Sequence, residues 1–184
     1  MDRREFLKRA GLGSAAVASF PVLSQLAATP AWASSGTIYR FQCISSGTVG
    51  TATHFLIIGG EGKISGSQAP GEGSFTHVTS LTGGSLVAWG TWKVKDLINF
   101  TTIGSFGAII AGIADLEILL LPTGGPAVPA TLKVVCNIPA ASPPLLTGLP
   151  EGVQVTTLTT PAITFATPVA GITTLAPGPE TKSS

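Results

Sequence analysis

Charge is what this chain has least of. Its 184 residues include 10 Lys and Arg, 9 Asp and Glu and two histidines, for a formal charge of +1. Past the N-terminus the basic residues are scattered rather than clustered. That pattern argues against nucleic acid, whose backbone is gripped by clustered Lys and Arg, and against a polybasic membrane patch. Metal-binding spacings are missing as well: there is no His-x-His, no His-Glu-x-x-His and no Cys-x-x-Cys. No cofactor is expected. Gly-x-Ser-x-Gly does not occur, and Gly71-Glu72-Gly73-Ser74-Phe75 lacks the final glycine of a serine nucleophile's turn. Helical periodicity is nearly absent, and no repeat recurs at a solenoid or propeller period. A spanning helix needs about 20 strongly apolar residues; the most apolar stretch, 108–121, is broken by Asp115 and Glu117, so no stable membrane span is expected.

Charge is concentrated at the start of the chain. Asp2-Arg3-Arg4-Glu5-Phe6-Leu7-Lys8 carries the arginine pair, and Phe6, Leu7 and Lys8 fill the positions that follow it in a twin-arginine export signal. A weakly apolar run and Ala31-Trp32-Ala33 come next, the small residues Ala31 and Ala33 marking a signal-peptidase site. Residues 1–33 are therefore expected to be an export signal, read by the twin-arginine machinery and removed by signal peptidase. The product would be secreted or periplasmic. Removing 33 of 184 residues leaves 151, about one domain, with 6 basic and 7 acidic residues. Twin-arginine passengers cross the membrane folded and many carry a cofactor. This chain shows no residues suited to hold one, so its use of that route is unexplained by its composition.

The remainder is rich in Gly, Thr, Val, Ile and Pro. Thr, Val and Ile suit a pleated, half-buried sheet, while Gly and Pro supply turns. Strand patterns appear over 37–46, 53–58, 72–80, 86–95, 108–121, 131–138, 152–158 and 162–165. Gly59-Gly60-Glu61-Gly62 reads as a turn or strand bulge, 96–104 as a break with room for one helical turn, and Gly112 as a bend or bulge. Together these predict an all-β single domain over 34–175: an antiparallel sandwich or a closed β-barrel of about eight strands. Residues 176–184 read as a disordered tail.

Two cysteines remain, Cys43 on the first strand and Cys136 on a late one, each on an apolar face. In an oxidising compartment the pair predicts one disulfide, which would contribute about 4 kcal/mol by closing a long loop. Two buried free thiols are the alternative.

Groups able to do chemistry are few. His77 shares a strand face with Phe75, and His54 is the only other histidine. With Glu61, Glu72, Asp115 or Glu117 they would make an acid–base pair or a two-histidine metal site; the plainer expectation is a half-buried strand residue in each case. Asp115 and Glu117 fall on one strand face and are expected to meet Lys93 or Lys133 across the sheet. Trp89 and Trp92 fall on opposite faces, one for the core and one for the surface.

Four stretches carry a likeness: Gly73-Ser74-Phe75-Thr76-His77, Ala88-Trp89-Gly90-Thr91-Trp92-Lys93, the run from Val128 to Cys136, and Leu149-Pro150-Glu151-Gly152-Val153. Through them the chain resembles a family of uncharacterised secreted bacterial proteins. The resemblance implies a small exported β domain and supplies no activity. The expected role is a non-catalytic one, binding an apolar or carbohydrate ligand or serving as structure in the envelope. The alternative is a small barrel enzyme, an isomerase or cyclase, with His77, Glu72, Asp115 and Glu117 as its polar groups.

Overall fold

The computed structural model describes residues 36–137 and 149–178. The expected export signal, its cleavage site and residues 179–184 lie outside them. Eight antiparallel strands follow one another around a closed barrel, each bonded to its sequence neighbours, with β8 returning to β1. They are β1 (Thr37–Val49), β2 (Ala52–Ile64), β3 (Gly71–Val78), β4 (Leu86–Phe106), β5 (Ile109–Pro122), β6 (Val128–Cys136), β7 (Gly152–Thr157) and β8 (Thr164–Pro177). Of the two architectures the sequence left open, the barrel is the one formed. Closure gives every strand a bonded neighbour on both sides, which removes the free edge strands of an open sandwich, although β8 meets β7 only at Thr164 and Phe165. Among the described residues no helix is long and apolar enough to cross a membrane.

Alternation decides what fills the interior. On β1, Tyr39, Phe41, Cys43 and Ser45 point inward and are buried; on β5, Ala114, Leu116, Ile118 and Leu120 do the same. Ala130, Leu132, Val134, Val153 and Val155 complete the far wall. At the centre Phe41 stacks on Trp92 with ring centroids 5.6 Å apart, and the indole nitrogen donates to the Gly59 carbonyl at 3.1 Å. The interior is thus a packed core over most of its height, as expected of a barrel this small.

Gly59–Gly62, which the sequence offers as a turn or a strand bulge, is uninterrupted strand. Gly60 and Gly62, with Gly71 and Gly73 of β3, are sockets for the largest core side chains. Gly60 and Gly73 face each other across β2 and β3, and a Cβ on either would overlap Trp92. Gly62 faces Gly71, where a Cβ would overlap the Tyr39 hydroxyl. The expected break at 96–104 is also strand. β4 slips register against β5 at Val94/Asp96, Leu97/Asn99 and Thr102/Gly104, and each slip inserts an extra residue. The inward positions Val94, Leu97 and Phe100 are therefore three apart, which imitates a helical turn. Gly112 lies opposite Thr102, beside the last of these slips. β8 is longer than its sequence pattern because Pro168 falls where β8 shifts against β1, a place where a missing N–H is tolerated. Ala176 and Pro177, expected in the tail, pair with Ile38 and Thr37.

The disulfide is the main correction: Cys43 and Cys136 are both free and buried. The Cys43 thiol donates to the Ile172 carbonyl at 3.5 Å and the Cys136 thiol to the Thr173 carbonyl at 3.6 Å. Successive carbonyls of a strand point to opposite edges, so the two sulfurs address opposite sides of β8. Burial pushes the Cys43 thiol up to about 12, with the Glu151 carboxylate adding to the rise, and raises Cys136 as well. Both are poorly nucleophilic thiols.

Candidate functional site

The two histidines, 23 residues apart in sequence, meet at one mouth of the barrel. His54 enters on the third pair from the β1–β2 turn, opposite Gly47 of β1; His77 sits near the end of β3, opposite Leu56 of β2 and Ala88 of β4. Their inward parity follows from the alternation that buries Leu56, Ile58 and Phe75. The two rings are diagonal neighbours across β2 and β3, within reach for ring side chains. His54 Nδ1 and His77 Nε2 lie 2.8 Å apart, so one nitrogen carries the proton that the other accepts. His77 is nearly buried and meets the Phe165 ring edge to face at a centroid distance of 5.1 Å.

Burial, and secondly the neighbouring His54, hold the His77 imidazole below its usual range. His77 is therefore neutral at pH 7, and each ring of the pair keeps one further nitrogen. Nearby polar groups are hydroxyls. The Thr157 hydroxyl accepts from the Ile163 N–H at 2.8 Å and is 3.0 Å from the Thr159 hydroxyl, while buried Ser45 donates to the Val153 carbonyl.

The carboxylates named with His77 are elsewhere. Glu72 is exposed on the outer wall in register with Lys93. Asp115 pairs with Lys133 at 3.6 Å, as expected, whereas Glu117 pairs with Lys95 at 2.7 Å rather than with Lys93. Arg40 and Glu61 are 2.7 Å apart on β1 and β2. These are cross-strand surface pairs, screened by solvent and weak. None of these acids joins the histidines, so the constellation expected of a carboxylate-based enzyme does not assemble. Among the described residues no group of three or more His, Cys, Asp and Glu is placed to hold a metal ion. Trp92 takes the core position, and Trp89 is 52% exposed on the outer wall.

Two structurally important residues escaped the sequence reading. Phe165 reads only as the end of a short strand, yet it is the aromatic wall of the histidine pair. Glu151 stands just before β7, and its carboxylate accepts the Thr173 N–H of β8 at 3.0 Å, taking the place of a ladder partner where β7 has ended. No local pattern signals either role, because both depend on how β8 closes the barrel. Comparison with family models, with curated proteins and with solved structures returns no match for this chain.

Proposed function

We propose that this chain is a non-catalytic binding barrel that takes a small, uncharged, mainly apolar ligand at the histidine-bearing mouth. The observation that carries this reading is the hydrogen-bonded His54–His77 pair, set against Phe165 with no carboxylate bonded to it among the described residues. His77, neutral at pH 7, and the His54 ring bonded to it each present one further ring nitrogen as donor or acceptor. Charged ligands would find no counter-ion there, and water-rich ones would lose hydration to apolar walls. Below the mouth the packed layer of Leu56, Phe75 and Phe165 closes the interior, so only the end of a ligand enters. Displacement of the neutral dye Nile red tests the reading: decanol should compete, and decanoate ion at pH 8 should compete much less. Equal competition by the two would refute it.

A second reading rests on the lowered proton affinity of His77, which leaves a free base at neutral pH. Such a base would serve an isomerase or cyclase acting on the same uncharged ligand class. Solvent deuterium appearing in a bound ligand, and lost in H77Q, would favour it. We further infer export by the twin-arginine route, with membership of the secreted family that the chain resembles; replacing Arg3 and Arg4 by Lys should retain the protein in the cytoplasm.

A further inference from the structure

The outer wall of the barrel is graded from one end to the other. At the histidine end, the connections 50–51, 79–85, 123–127 and 158–163 contain no Asp, Glu, Lys or Arg. β7 and β8 carry no charged residue, and on every other strand the first one lies at least five positions in from that end: Glu117 is five from Pro122 and Lys133 five from Val128. At the opposite end charges come close to the rim on three strands, with Lys63 beside Ile64, Glu72 beside Gly71 and Glu151 beside Gly152, while the β4–β5 hairpin there is an uncharged projection that exposes Ile98, Ile103 and Ile109. The uncharged end exposes large apolar side chains: Leu81 at 43%, Leu86 at 55%, Val87 at 50% and Leu158 at 53%. Trp89 follows further down the wall, 52% exposed. Below it comes a girdle of ion pairs and register neighbours, Arg40–Glu61, Glu72 beside Lys93, Lys95–Glu117 and Lys133–Asp115.

The order along the axis is therefore leucine tips, indole collar, ionic girdle. From Leu86 to Lys93 is about 20 Å along β4 at the usual rise per residue, and somewhat less along a tilted barrel axis. That sequence of chemistries reproduces the depth profile of a lipid surface, in which acyl chains take aliphatic groups, the interface takes Trp, and charge stays in water. A protein partner would explain an exposed apolar patch, but its rim is ordinarily polar and charged. Here formal charge is missing from the whole end.

We propose that the histidine end of the barrel docks onto uncharged lipid bilayer, inserting the tips that carry Leu81, Leu86 and Leu158 and seating Trp89 at the interface. The docked barrel presents its mouth to the apolar phase. This inference stands on the distribution of charge and does not require the ligand reading above.

Flotation of the full chain with phosphatidylcholine vesicles tests it. The chain should float, and binding should hold between about 0.1 M and 1 M NaCl, since no ion pairing is being screened. Leu81→Asp combined with Leu158→Asp should weaken partitioning at least tenfold. Ile98→Asp combined with Ile103→Asp, on the exposed β4–β5 hairpin, should leave it unchanged and controls for the N-terminus and for general loss of apolar surface. Vesicle binding should also shift tryptophan emission to the blue, and Trp89→Phe should abolish the shift. Failure to float, a need for anionic lipid, or equal losses in the two double variants would overturn the proposal. So would a wild-type chain that ignores vesicles and runs as a dimer on sizing, with the Leu81/Leu158 variant running as a monomer; the face would then join two copies of the chain.

Discussion

The Tyr39 hydroxyl has a consequence that can be measured. Tyr39 is fully buried, and its hydroxyl, wedged between Gly62 and Gly71, has no hydrogen-bond partner among the described residues. A buried hydroxyl left unpaired costs about 1–3 kcal/mol. Tyr39→Phe removes that penalty and leaves a void of roughly 10 Å³, worth only about 0.2 kcal/mol at the usual cavity coefficient. The variant should be more stable by about 1–2 kcal/mol, a rise in Tm of about 2–6 °C for a domain of this size. Gly71→Ala probes the same spot from the other side. Its methyl would meet the Tyr39 hydroxyl, with Tyr39 Cζ 2.8 Å and the Glu61 carbonyl oxygen 2.9 Å away, and should cost about 1–3 kcal/mol by overpacking. In the Tyr39→Phe background part of that clash disappears, so the two changes should be non-additive by more than about 0.5 kcal/mol. Urea unfolding followed by tryptophan fluorescence measures all four proteins. A destabilised Tyr39→Phe, or strictly additive effects, would show that the hydroxyl is bonded and that the glycine socket is not what seats the ring.

Three further expectations come from the same interior. Both thiols should be silent toward a thiol reagent at pH 8 in the native chain and both should react in guanidinium; finding none after unfolding would mean the sulfurs are bridged. His77 is held below its ordinary proton affinity, so the unfolded chain takes up a proton near pH 6.5 that the folded one resists. Stability should therefore be complete above that value and fall as pH drops through it. H77Q should flatten that part of the profile, and an unchanged slope would contradict the assignment. Glu151→Ala should cost about 1–3 kcal/mol by orphaning the Thr173 N–H, whereas Glu151→Gln, which keeps an acceptor, should recover most of it. Equal losses would mean that charge rather than hydrogen bonding holds β8 there.

Much of the fold can be read directly because the chain obeys strict alternation on most strands. Tyr39, Phe41 and Cys43 announce the inner face of β1, and Leu132, Val134 and Cys136 that of β6. Reading fails where the backbone breaks its own period. Each extra residue in β4 moves the inward position by one, so Val94, Leu97 and Phe100 lose the two-residue rhythm while staying inside. The glycines of β2 mislead for a different reason. Four residues with three glycines look like a turn or bulge, but here Gly60 and Gly62 are spaces reserved for rings that arrive from β4 and β1. The cysteines mislead for a third. A shared inward parity places two sulfurs in one interior but not on one side of β8.

The candidate site was half legible, and the missing half is geometric. Inward parity put His77 on the core face with Phe75, but nothing in the sequence placed His54 beside it. That contact exists only once β2 and β3 are locked with Leu56 opposite His77, because a one-residue slip would turn one ring outward. The register is itself held by the sockets lower on the same strand pair, where Gly60 faces Gly73 beneath Trp92 and Gly62 faces Gly71 beneath Tyr39. Slipping β2 against β3 would set a glycine against a side-chain-bearing residue and drive it into an aromatic ring. The packing of two aromatic residues near the barrel's centre thus fixes the meeting of two histidines at its mouth. A substitution at Gly60 or Gly73 would be felt at the imidazole pair even though neither glycine lies near it.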